Sequence, residues 1–101
     1  MMNSMEFVRI CESDSFAKFE LKDIFRCINE MHRAKTFDDV TFYYDLADYH
    51  RYGLWTYFCG KADTPCMAYC SHLIGVLSKI YMRQVDRLYK ERIKGRKNEK
   101  K

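Results

Sequence analysis

Residues 64–94, TPCMAYCSHLIGVLSKIYMRQVDRLYKERIK, decide how this chain folds. Thr64-Pro65 is a helix start: a threonine hydroxyl accepts from free backbone N–H groups, and proline at the first helical position removes a donor that has no partner there. The breaker that follows is Gly75, and a single glycine in a helix costs only about 1 kcal/mol against alanine. Cys66, Met67, Cys70, Leu73, Ile74, Val76, Leu77, Ile80 and Tyr81 cover more than one stripe, the pattern of a helix buried on most sides. The segment Thr64 to Tyr81 is therefore expected to be the central element of the fold. From Met82 the apolar pattern narrows to Val85, Leu88 and Ile93 among charges. Unbroken to Lys94, the helix would run about 45 Å at ~1.5 Å per residue. That exceeds the width of a small domain, so its second half is expected to project, with an apolar ridge that would suit a homodimer.

Upstream, Ala17, Leu21, Ile24, Ile28 and Met31 recur at spacings of three and four, with Lys18, Lys22, Arg26 and Glu30 on other faces. This predicts an amphipathic helix at about Ser15 to Ala34, ending on His32, Arg33 and Lys35 in agreement with the helix dipole. Thr36 and Asp39 resemble a capping box, and a further helix is predicted at roughly Phe37 to Tyr52, with Val40, Tyr43, Tyr44, Ala47 and Arg51 on one side. Gly53 is read as its interruption. Leu54 to Cys59 fits a short helix or an extended segment, because its aromatic residues and threonine favour strands. Residues 60–63 form the loop before the long helix. Glu6 to Glu12 fits a helical turn or a strand, and Glu12 to Ser15 fits a turn or a helix cap. The expected fold is all-α, a single small domain of three to four helices (residues 1–94) with a long central C-terminal helix ending in a frayed basic tail (95–101). The alternative is a small mixed fold in which Phe7 to Cys11 and Phe16 to Leu21 pair as a hairpin.

Composition sets the outer limits. The chain has 101 residues, room for one domain, and an apolar fraction of 48% with 16% aromatic residues supplies a core and argues against disorder. The five cysteines are an odd number and no signal-peptide pattern precedes them, so reduced thiols, core packing and a cytoplasmic location are expected. No apolar stretch approaches the ~20 residues of a membrane span.

Charge is polarised along the chain. The formal net charge is +4, but residues 79–101 carry ten Lys/Arg against three acidic residues, while the remainder is acidic. Arg83, Arg87, Lys90, Arg92, Lys94, Arg96 and Lys97 make the C-terminal helix a candidate for phosphate contacts, which give salt-dependent, sequence-independent nucleic-acid binding. Aromatic residues crowd the stretch from Phe37 to Phe58, and a segment this dense cannot turn every ring inward. Tyr43, Tyr44, Tyr49, Arg51, Tyr52, Trp55 and Tyr57 are the candidate partner-binding residues, since exposed tyrosine, tryptophan and arginine anchor protein interfaces.

Signs of chemistry are sparse. Cys66 and Cys70 lie one turn apart with Cys59 before them, but the spacing does not match a zinc knuckle and His72 is rotated about 200° from Cys70 at ~100° per residue. No metal or cofactor is assigned. Asp38 and Asp39 belong to a helix start, so Asp45 and Asp48 do not complete a magnesium site. The three histidines have no identifiable nucleophile beside them. Cys66, at a helix N-terminus, is expected to have a lowered thiol pKa and to be the most reactive cysteine. The chain reads as a non-enzymatic interaction protein that binds a larger protein or ribonucleoprotein as regulator, adaptor or inhibitor. The rival reading is a nucleic-acid-binding protein that uses the basic C-terminal helix and tail.

Overall fold

The computed structural model describes residues 2–99, of which residues 96–99 by backbone alone. Four helices follow one another, α1 (Ser4–Glu12), α2 (Ser15–Arg33), α3 (Phe37–Gly60) and α4 (Thr64–Glu99), and no strand occurs among the described residues. The fold is a small all-α domain, and the hairpin alternative is excluded: both of its segments are helical.

Each start has a local cause. Asn3 Oδ1 accepts from Glu6 N–H at 2.9 Å to open α1, and Asp14 Oδ1 accepts from the N–H groups of Phe16 and Ala17, each at 3.0 Å, to open α2. Thr36 Oγ1 accepts from Asp39 N–H at 3.1 Å and caps α3. The start of α4 differs from expectation. Asp63, one residue upstream of Thr64, supplies the capping oxygen to Cys66 N–H at 3.2 Å, and its carbonyl takes the first helical bond from Met67. Thr64 is then the first helical residue and Pro65 the second, where a missing donor is still harmless.

Gly53 does not interrupt α3, which continues to Gly60. The packing of Leu54 and Phe58, both buried, outweighs the ~1 kcal/mol glycine penalty and any strand preference of the local aromatics. The helix stops through Ala62. Ala62 N–H bonds the Cys59 carbonyl and Asp63 N–H the Phe58 carbonyl, both at 3.0 Å, with Ala62 at φ 53°. This is the Schellman closure, with alanine where glycine is usual.

In the body, α3 contacts both α2 and α4 extensively, whereas α2 and α4 meet only over a short stretch. One line of α3 (Val40, Ala47, Arg51, Leu54, Phe58) is buried against the line Ala17, Leu21, Ile24, Cys27, Met31 of α2 and the line Cys66, Cys70, Leu77, Leu88 of α4. α1 closes one end, where Phe7 stacks on Tyr69 of α4 with ring centroids 4.2 Å apart. Burying side chains of this size stabilises by about 1.5–3 kcal/mol each.

The molecule measures 60 × 23 × 19 Å, and its length follows from the 36 residues of α4, about 54 Å at ~1.5 Å each. The expected burial of the first turns on most sides is not found: Ile74 is exposed, because α4 has neighbours on one side only. Projection also begins later than the sequence suggested. Gln84 and Leu88 are buried and Val85 packs on the core, and Leu88 lies beside Lys35, Thr36 and Phe37 of the α2–α3 connection. Arg87 holds that connection in place, donating to the Ala34 carbonyl at 2.9 Å and to Gln84 Oε1 at 2.7 Å, while Gln84 donates to His32 Nδ1 at 2.9 Å. The frayed tail expected at residues 95–101 falls partly outside the described residues; Gly95 to Glu99 continue the α4 backbone.

Candidate functional site

Because α3 lies between α2 and α4, its fourth side faces solvent. At ~100° per residue, Asp38, Phe42, Asp45, Tyr49, Tyr52 and Thr56 fall on that side, at alternating spacings of four and three. All six are exposed. The rings dominate: Phe42 is 59% exposed, Tyr49 71% and Tyr52 58%. The face is about 27 Å long from Asp38 to Thr56. Phe16 of α2, 44% exposed, extends it sideways, and its ring lies 4.7 Å from that of Tyr57. The stripe combines apolar rings with the carboxylates of Asp38 and Asp45, and no lysine or arginine shares it.

The seven residues read from the sequence as partner-binding separate accordingly. Tyr49 and Tyr52 are on this face. Trp55 is half-buried beside it, stacked on Tyr52 with centroids 6.0 Å apart. Tyr44 turns toward α4, its hydroxyl 3.2 Å from Ser78 Oγ and its ring 4.7 Å from Tyr81, and Tyr43 is half-buried against the core. Tyr57 donates its hydroxyl proton to Asp14, which also receives Lys61 Nζ at 2.9 Å, with that ammonium 4.6 Å above the Tyr57 ring. Arg51 is a correction: it is buried, and its Nε donates to Asp48 Oδ1 at 2.7 Å. It belongs to the buried line of α3, spaced 4, 3 and 11 residues from Ala47, Leu54 and Val40, and packs there through its aliphatic stem. Phe42 and Phe16 join the site from outside the sequence-read set. Phe42 was legible as part of the 42–45–49–52–56 spacing, whereas Phe16 is brought there only by helix packing.

The basic residues also divide. Arg83, Lys90, Arg92 and Lys94 are exposed; Lys90 pairs with Asp86 at 2.9 Å, and the other three have no carboxylate partner among the described residues. Arg87 is a second correction, since its guanidinium is committed to Ala34, Gln84 and, at 3.5 Å, Glu91. Side chains of Arg96 and Lys97 lie outside the described residues. Lys79, Arg83, Lys90 and Lys94 share one side of α4 at spacings of four, seven and four.

The cysteines differ from expectation. Burial raises the Cys66 thiol to about 12, and its bond to Asp63 pushes the same way, so the helix N-terminus does not activate it. Burial also raises Cys11 to about 12 and Cys70 to about 11. All five cysteines are free, and no group of three or more His, Cys, Asp or Glu among the described residues is arranged to hold a metal ion. No described helix is long and apolar enough to cross a membrane. Comparisons of the chain with family models, curated proteins and solved structures find no match.

Proposed function

We propose that the chain is a non-enzymatic interaction protein that docks the outer face of α3 onto a larger protein or ribonucleoprotein, acting as a regulator, adaptor or inhibitor. The observation that carries this reading is the row Phe42, Tyr49 and Tyr52, three large rings exposed on one helix face of a domain that has already buried its core. Large rings left exposed along one helix face favour cover, and tyrosine rings give contact area at low entropic cost. Asp38 and Asp45 on the same stripe select a partner surface that mixes apolar side chains with lysine or arginine, such as a basic amphipathic helix.

A photo-crosslinking residue at position 49, compared with one at exposed Lys18 on another face, tests this in cells. The expected result is a discrete adduct at 49 that disappears on Phe42→Ala. Equal labelling from both positions, or an adduct indifferent to Phe42→Ala, refutes it.

A second reading rests on Lys79, Arg83 and Lys94, exposed on one side of α4 without carboxylate partners among the described residues. These would contact nucleic-acid phosphates. Removal of residues 95–101, or Arg83→Glu with Lys94→Glu, should then weaken binding and lower its salt dependence; unchanged affinity and salt slope dispose of it.

A further inference from the structure

Between α2 and α3 the aromatic face deepens into an open groove of about 580 Å³. Its walls are Phe16, Tyr49, Tyr52 and Tyr57, with Glu20 and Gly53 more deeply placed between them. We infer that this groove receives the guanidinium of an arginine side chain presented by the docking partner. The inference rests on the docking reading above and specifies its anchor.

Three observations lead to a cation. Gly53 has no side chain, and a Cβ there would sit 3.1 Å from Glu20 Oε2, so glycine leaves the Glu20 carboxylate uncovered on its α3 side. That carboxylate is held by His50, whose Nδ1 donates to Oε2 at 2.9 Å, and Asp23 stands 3.9 Å from the other ring nitrogen. Asp23 is itself paired with Arg26, so Glu20 is the carboxylate that presents its charge to the groove. Oε1 of Glu20 carries no hydrogen bond among the described residues. An apolar side chain in the groove would cover this carboxylate without pairing it, at a desolvation cost. A cation pairs it.

The rings then favour guanidinium over ammonium. A planar guanidinium stacks on tyrosine faces while its edge donates to a carboxylate, whereas an ammonium is compact and strongly hydrated. The molecule already contains one arrangement of this kind beside the groove, Lys61 lying over the Tyr57 ring while bonded to Asp14.

The test uses the full chain and small probes, so it needs no identified partner. Amide and aromatic resonances are followed by NMR during titration with n-butylguanidinium, n-butylammonium or neutral pentanamide. The expected result is saturable shifts at Glu20, Tyr49, Tyr52 and Gly53, largest for guanidinium and absent for pentanamide. Glu20→Gln should weaken guanidinium binding by roughly tenfold, the loss of one charge-assisted hydrogen bond. Should that variant unfold because His50 loses its partner, Tyr49→Ala, at an exposed position, reports the same loss. Equal shifts with pentanamide, shifts centred elsewhere, or affinity indifferent to both substitutions overturns the inference. Phe42→Ala lies about 10 Å along α3 from Tyr49, outside the groove, and tests docking alone. A probe that fails to bind while Phe42→Ala still abolishes the crosslink removes the arginine anchor and leaves the docking reading standing.

Discussion

Replacing Gly75 and Gly53 by alanine separates the intrinsic cost of a helical glycine from the contacts around it. Both sit inside helices, at ordinary negative φ, so alanine is sterically allowed by the backbone at each. A Cβ at Gly75 would meet nothing within 4 Å. Gly75→Ala should therefore gain the full propensity difference, about 0.8–1 kcal/mol, which raises Tm by roughly 4–8 °C in a domain of this size. At Gly53 the same gain is offset, because the new Cβ would lie 3.1 Å from Glu20 Oε2 and 3.5 Å from its Cδ. The carboxylate must move by a few tenths of an ångström, which rotates a side-chain torsion at a cost of about 0.5 kcal/mol and lengthens its bond to His50. Gly53→Ala should then stabilise by at most about 0.5 kcal/mol. In a Glu20→Ala background the obstruction is gone, and Gly53→Ala should recover the full gain. Urea unfolding followed by far-UV circular dichroism measures all of these. A Gly75→Ala variant less stable than wild type would refute the description of α4 as continuous and open at that turn. Equal gains at both positions would refute the contact between Gly53 and Glu20, and with it the floor of the groove.

Two further outcomes follow from charge and burial. The Tyr57 hydroxyl, then the Ala17 N–H and Lys61, hold the Asp14 carboxyl well below the usual aspartate range. A depressed carboxyl adds stability above its unfolded value, roughly pH 4, and loses it as pH falls toward the folded value. The stability gap between wild type and Asp14→Asn should thus be open at neutral pH and close in acid, and a gap that persists unchanged at low pH contradicts the Tyr57–Asp14–Lys61 network. Among the thiols, Cys11, Cys66 and Cys70 are fully buried and raised to about 12, 12 and 11, whereas Cys59 is half-buried near the end of α3. A thiol-reactive disulfide reagent at neutral pH should label Cys59 quickly and those three only on unfolding; rapid labelling of Cys66 would contradict its burial.

Periodicity and capping pointed to helices in α2, the first part of α3 and α4, and left Glu6 to Glu12 and Leu54 to Cys59 open between helix and strand. The stripe of α2, the Thr36 cap and the unbroken run of α4 are local features, set by 3.6-residue spacing and by donors that need acceptors nearby in sequence. The polarised charge and the surplus of rings between Phe37 and Phe58 were equally visible. Tertiary structure decided which side of each helix is covered. Gly53 reads as a break until Leu54 and Phe58 are seen to be buried beyond it, and Arg51 and Arg87 read as free cations until Asp48 and the Ala34 carbonyl claim them. Cys66 reads as an activated thiol because the helix dipole is local, whereas the burial that overrides it depends on the neighbouring helices. The groove joins Phe16 and Glu20 of α2 to Tyr49, Tyr52 and Gly53 of α3, residues some thirty positions apart. A pattern along one helix carries no information about the azimuth at which the next one docks, because that angle is set by how two surfaces interlock.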